Sequence, residues 1–312
     1  MISLQSKFIG SMLGSAIGDA IGELAFFYPE KGSLDEILKR IEKLIYTDDT
    51  AMALGLAESL IQKKCVDQKH LGDTFSRNFF LEPWRGYASG PPQIFFIVRE
   101  KGISYVEAAK SLFGGKGSFG NGAAMRVAPL GLLYYKSNSI YQNASLSAEV
   151  THAHPVGMDG AAVQAFAVAQ AVKLNPDKEF PLEEFIQNLI NFSKTSEIKE
   201  KMELLKSLII EKVSPKEAHD LLGKSVSVDE SLPFAIYSFL RNPKSFENCL
   251  FCSILNGGDR DTLGAMACAI SGAYLGVEAI PLSWRNKIEN KEMIEKFAQA
   301  ILQIIENELG GD

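Results

Sequence analysis

Sulfur and imidazole are scarce here, with four cysteines and four histidines among 312 residues. That leaves little for a zinc or redox centre, which needs several such ligands together. Cys249-Leu250-Phe251-Cys252 has formal C-x-x-C spacing, but no second pair completes a zinc site. Its neighbours Phe246, Leu250 and Ile254 read instead as a buried helix. Lysine and arginine never run beyond a pair, and the net charge is −6. A nucleic-acid footprint is therefore not expected. No G-x-S-x-G occurs and no serine has an obvious base, so a nucleophilic triad lacks support. Strict polar–apolar alternation is hard to find, which argues against sheet. Few cysteines and no legible export signal fit a reducing cytoplasm, the expected location.

What is present is helical period. Apolar residues recur at i, i+3 and i+4 over Ala51 to Ile61, Ala123 to Tyr135, Val156 to Leu174, Phe234 to Leu240, Leu263 to Leu275 and Ile294 to Leu309. Gly90-Pro91-Pro92 and Asn175-Pro176-Asp177 read as turns. The polar stretch Ser193 to Val228 reads as shorter surface helices and connections. The expectation is an all-α fold, a single compact multi-helix domain over residues 1–312, acting as a monomer. Phe8 to Tyr28 is apolar enough to suggest a membrane span, yet Asp19 and Glu23 lie inside it. Gly10, Gly14, Gly18 and Gly22 recur every four residues there, a face suited to close helix packing. A buried N-terminal helix is the better reading.

Two acidic clusters stand at opposite ends of the chain, Tyr46-Thr47-Asp48-Asp49-Thr50 and Gly257-Gly258-Asp259-Arg260-Asp261-Thr262. Each precedes a helical pattern, and a single acid there would serve as an N-cap. Each cluster spends two acids and a threonine, more than a cap requires. Four carboxylates brought together repel one another unless cations lie between them. Oxygen-only donors point to hard cations such as Mg²⁺. A third segment, Gly114-Gly115-Lys116-Gly117-Ser118-Phe119-Gly120-Asn121-Gly122, places five glycines ahead of an expected helix. Its exposed N–H groups suit a phosphate cradle, although the spacing is not that of a Walker motif. A plain flexible turn explains such a loop equally well. Two of the four histidines sit in Thr151-His152-Ala153-His154-Pro155, where His152 is either structural or a substrate contact.

In this order the segments resemble the ADP-ribosylglycohydrolase (ADP-ribosyl-acceptor hydrolase) family. The matching pieces include Gly18-Asp19-Ala20-Ile21-Gly22, Thr47-Asp48-Asp49-Thr50, Gly115 to Arg126, Thr151-His152 and Gly257 to Thr262. The glycine loop is most like the branch that removes serine-linked ADP-ribose and degrades poly(ADP-ribose). The resemblance implies two Mg²⁺ ions in a central cleft of an all-α fold. Thr47, Asp48, Asp49 and Asp261 would hold one ion; Asp259, Asp261 and Thr262 would hold the other. Ser118, Gly120 and Asn121 would contact the diphosphate, with His152 in the same region; Phe113 and Phe119 would flank the adenosine end, and Gly117 would be a further substrate-binding residue. The expected catalytic carboxylates are Glu23, Asp48 and Asp49.

One position departs from the family pattern. Where relatives usually carry a catalytic glutamate, four residues after Gly22, this chain has Phe26. Glu23 is the nearest replacement, and Glu30 is the alternative. The expected activity is Mg²⁺-dependent hydrolysis of the bond between ADP-ribose and an acceptor: a serine or arginine side chain, poly(ADP-ribose) or a small molecule. A binding protein for ADP-ribose that has lost turnover is the alternative which Phe26 favours. An all-α diphosphate lyase would also set acids across a cavity, but neither cluster has its D-D-x-x-D spacing.

Overall fold

In the computed structural model, which describes residues 2–309, the N-terminal helix Leu4–Phe27 is positioned by its glycines. Gly10, Gly14, Gly18 and Gly22 meet, in reverse order, Gly272, Cys268, Gly264 and Arg260 of the helix Arg260–Leu275. A Cβ placed on Gly18 would stand 2.2 Å from the Gly264 carbonyl oxygen, and one on Gly272 would stand 1.9 Å from that of Gly10. With only hydrogens at the seam, the two helices run antiparallel with their backbones in contact. The glycine face is thus a packing face between two helices, and among the described residues no helix is long and apolar enough to cross a membrane.

Further helices wrap this pair. The alanine-rich helix Pro155–Lys173 lies against Arg260–Leu275, and Gln164 Nε2 donates to the Met266 carbonyl at 2.9 Å. Asp48–Lys63, Val228–Arg241 and Lys291–Leu309 complete the surround. One contiguous apolar core runs from Phe8 to Ile305, with a small satellite at Ala123, Ala148 and Ala161. Among the described residues there is no strand, only the isolated bridges Leu44–Ile288 and Gly120–Ser227. The architecture is all-α, as the periodicity predicts. Ser193 to Val228 holds the helices Ser196–Ile210 and Pro215–Leu222. Cys249 and Cys268 are buried free thiols, and burial pushes the Cys249 thiol well above its usual value, as suits an inert core residue.

Two local expectations fail for reasons of proline chemistry. The pattern Ala123 to Tyr135 predicts one helix, but the chain makes a single turn, Gly122–Met125, and restarts as Ala128–Leu133. Pro129 has no N–H to bond the Met125 carbonyl four residues back, and its ring would crowd that turn, so it sits in the first turn of a new helix instead of continuing the old one. Gly90-Pro91-Pro92 is not a free turn, for the prolines occupy the first turn of the helix Gly90–Lys101. There their missing N–H groups cost nothing.

Candidate active site

The glycine seam brings Asp19, on Leu4–Phe27, beside the start of Arg260–Leu275, which carries Asp261 and Thr262. Asp19 is fully buried. Its carboxylate accepts from the Thr47 N–H at 3.0 and 3.1 Å, the Thr47 hydroxyl at 2.9 Å, the Thr50 N–H at 3.0 Å and the Thr50 hydroxyl at 2.5 Å. These bonds fix the entry to the helix Asp48–Lys63 and bring the first acidic pair to the second. The sequence shows Asp19 as an acid inside a glycine-faced helix and as part of a family-like segment, but its clamp on Thr47 is a tertiary contact.

The entry is held from its other side as well. The buried Arg85 guanidinium pairs with Glu289 and donates to the Tyr46 carbonyl at 2.9 Å, while the Tyr46 N–H donates to Glu289 at 3.1 Å. Arg85 also lies over the rings of Tyr46 and Trp84, at 4.1 and 4.2 Å. Nothing in the spacing of Arg85 and Glu289 announces this pair.

Five carboxylates therefore share one end of the helix pair, and burial raises the pKa of four of them, Asp19, Asp48, Asp49 and Asp261. Burial pushes Asp19 up to about 6 and Asp48 up to about 7, the Asp48 shift reinforced by the Asp19 charge. Asp49 is raised well above the usual carboxylate range by burial and then by Asp261, Asp19, Asp48 and Asp259. Asp261 reaches about 9 through burial and the Asp259 charge. Asp49 Oδ1 is buried with no hydrogen-bond partner. The other contacts are internal: Thr47 Oγ1 lies 3.1 Å from Asp49 Oδ2, Asn121 Nδ2 donates to Asp259 at 2.7 Å, and the Thr262 N–H donates to Asp261 at 2.9 Å. Among the described residues no three His, Cys, Asp or Glu side chains converge as a ready metal cage.

The acids open into a cleft of about 320 Å³ whose lining includes Asp48, Asp49, Phe113, Ser118, Gly120, Asn121, His152, Asp259, Asp261 and Thr262. The chain reverses through Phe113, Gly114, Gly115 and Gly117, all at positive φ. At Gly117 a side chain would also strike the backbone of His154 at 2.8 Å. The helix expected after this loop is only the single turn Gly122–Met125, too short to build up an N-terminal dipole. The loop's donors are instead local. The backbone N–H groups of Ser118 and Phe119 have no acceptor among the described residues, whereas that of Gly120 is taken by Ser118 Oγ at 3.1 Å. Asn121 turns its amide to Asp259, tying the loop to the second acidic cluster.

The two histidines divide their work. His154 caps the helix Pro155–Lys173 by accepting from the Val156 N–H at 3.2 Å, and its ring lies 5.1 Å from that of Phe119. His152 is buried and faces the cleft. Glu23 is half-buried on the N-terminal helix and lies outside the cleft lining, as do Thr47, Gly117 and Phe119. Glu30 is exposed, and its charge acts on the Arg260 guanidinium, which donates to the Ile254 carbonyl. Phe26 is 46% exposed.

The comparisons with known proteins bear on this site. The family description ADP-ribosylglycohydrolase matches residues 1–309. The chain belongs to the ADP-ribosylglycohydrolase family. It is 34% identical over 314 residues to the ADP-ribosylhydrolase ARH3 of Bos taurus, covering 90% of this chain and 84% of that protein. It is likewise 34% identical over 297 residues to the Homo sapiens ADP-ribosylhydrolase ARH3, covering 86% and 81%. A solved ADP-ribosylglycohydrolase-related protein complex superposes with a TM-score of 0.73 at 23% identity, over 96% of this chain and 98% of that one. That likeness concerns the fold alone. As a member of the ADP-ribosylglycohydrolase family, the chain is an enzyme of the glycosyl-hydrolase kind.

Proposed function

We propose that the chain hydrolyses the glycosidic bond between ADP-ribose and an acceptor, with two Mg²⁺ ions as cofactor, working as a single-domain monomer without a nucleic-acid partner. The observation that carries the reading is the meeting of four acids, Asp48, Asp49, Asp259 and Asp261, with a glycine loop and a buried histidine at one cleft. Asp49 Oδ1, buried without a partner, and an all-oxygen donor set fit hard cations. Thr47, Asp48, Asp49 and Asp261 would hold one ion, and Asp259, Asp261 and Thr262 the other. When bound, such ions supply positive charge beside the ribose hydroxyls.

The chain's own groups then have separate tasks. The free N–H groups of Ser118 and Phe119, with His152, bind the diphosphate. Phe113 and Phe119 flank the adenine. A carboxylate takes a proton from the attacking water while the bond from the anomeric carbon to the acceptor breaks. The acceptor leaves with a proton, and the products are free ADP-ribose and the released hydroxyl or amine. Asp48 lines the cleft and Glu23 does not, which favours Asp48 for the water; Glu23 remains the second candidate, with Asp49 beside them.

The exposed Phe26, standing where relatives usually carry a glutamate, favours a second reading: a protein that binds ADP-ribose without turnover. Mono-ADP-ribosylated serine and arginine peptides, offered with and without Mg²⁺, separate the two when run beside calorimetry with ADP-ribose. Metal-dependent release of ADP-ribose supports the hydrolase. Tight binding with no product from either peptide would overturn it.

A further inference from the structure

We infer that Arg126 and Thr151 together lock the His152 ring in the tautomer with its proton on Nε2, so that the cleft always meets an N–H donor there. Arg126 is 1% exposed and, among the described residues, has no carboxylate hydrogen-bonded to it. Its guanidinium lies 4.7 Å from the Phe75 ring and donates to the Gly122 and Ser147 carbonyls and, at 2.8 Å, to Thr151 Oγ1. Thr151 Oγ1 lies 2.8 Å from His152 Nδ1. A guanidinium has no acceptor, so the threonine oxygen must accept from Arg126. The single hydroxyl proton then points elsewhere, and among the described residues Nδ1 is its only other partner. The opposite tautomer would make the threonine oxygen accept twice and leave its buried hydroxyl proton without a partner, so Nδ1 is the acceptor and Nε2 carries the hydrogen.

The surroundings agree with this assignment. Burial and the Arg126 charge push the His152 pKa down to about 3, so the ring is neutral at physiological pH and has a tautomer to choose. Nε2 has no protein partner among the described residues, and the space before it is kept open by glycine. A Cβ on Gly122 would stand 2.9 Å from Nε2, and one on Gly120 would stand 3.7 Å from it. A neutral N–H donor binds an anion without taking up a proton, so its contribution does not fade as pH rises through 7. Use of this donor on a diphosphate rests on the reading proposed above, while the tautomer itself does not. Arg126 and Thr151 are positioning residues, since they act through His152.

Nitrogen-15 NMR of the imidazole rings in the full chain tests the inference, with the His152 signals assigned by their loss in His152→Gln. Between pH 6 and 8 the parent should show Nδ1 unprotonated and Nε2 protonated. Thr151→Val keeps the shape and removes the relay, so it should mix the tautomers and weaken ADP-ribose binding about tenfold. Thr151→Ser restores the hydroxyl and should restore both readouts. A proton on Nδ1 in the parent overturns the inference, whether or not the variants fold. So does an unmixed Nε2–H ring in folded Thr151→Val. A correct tautomer in a protein that fails to bind ADP-ribose leaves the relay standing and removes the functional reading instead.

Discussion

The Asp19 carboxylate grips Thr47 three times, twice through the backbone N–H and once through the hydroxyl at 2.9 Å. One acid on the first helix thereby sets where Asp48 and Asp49 begin. Asp19→Ala leaves the N–H groups of Thr47 and Thr50 buried and unpaired. The variant should lose about 3 kcal/mol of stability in urea denaturation, with metal binding weakened. A loss below 1 kcal/mol would mean that the clamp is incidental.

Gly18→Ala tests the helix seam. The new methyl meets a carbonyl oxygen at 2.2 Å, in backbone that cannot rotate away. A destabilisation of about 1–3 kcal/mol or more is expected. Gly32, on the helix Lys31–Arg40, has nothing within 4 Å, so Gly32→Ala should be neutral or gain up to about 1 kcal/mol. Similar melting shifts for the two substitutions would contradict the packing argument.

Mg²⁺ should raise the melting temperature by relieving repulsion among the acids, and a chelator should reverse the gain. Asp49→Asn and Asp261→Asn each remove a shared charge, so both should shrink the shift toward zero even while the metal-free proteins fold. Calorimetric titration of Mg²⁺ into each variant provides the check, and retention of full affinity in both would sink the proposed ligand set.

Replacing the proton-transfer carboxylate should lower turnover about 10²–10⁴-fold with binding of ADP-ribose retained. Glu23→Gln and Glu30→Gln, measured side by side, locate that group outside the metal ligands. If Glu30→Gln loses activity while Glu23→Gln keeps it, Glu30 has taken the place of the missing glutamate. If both keep full activity, the proton moves through Asp48.

His152 also leaves a signature in stability. Its folded pKa, about 3, lies below the unfolded value near 6.5, so unfolding takes up a proton in that window. Its contribution is complete above about pH 6.5 and is lost as pH falls toward 3, by up to about 1.4 kcal/mol per pH unit. The raised carboxylates titrate with the opposite sign, so the test is a difference. The stability gap between the parent and His152→Gln should narrow on acidification from pH 7 to 5. A constant gap would place the ring in contact with water.

The helices were legible because their information is local. The period of Leu263 to Leu275 and the four-residue glycine spacing of the first helix report on one face each, and both became helices with the predicted faces inward. The break at Arg126 and the helix starting at Gly90 were missed because proline plays opposite roles at a helix start and inside one. The acids themselves could be read, since two pairs beside apolar helices are conspicuous. Their supports could not. Arg85 and Glu289 look ordinary in the sequence; Asp19, Arg126 and Thr151 sit in conspicuous segments, but no pattern there shows what each holds, because each role comes from a partner or geometry that only the fold defines.

The amino-acid order alone determined the helical class, the glycine seam and the presence of two oxygen-rich clusters, because periodicity and composition are properties of short segments. Only the tertiary structure decided that five carboxylates crowd into one end of the helix pair, that His152 faces the cleft while His154 caps a helix, and that a buried arginine directs a ring proton. Those outcomes depend on burial and on distances of about 3 Å between groups that the sequence does not visibly connect, and such distances exist only once the backbone has closed around them.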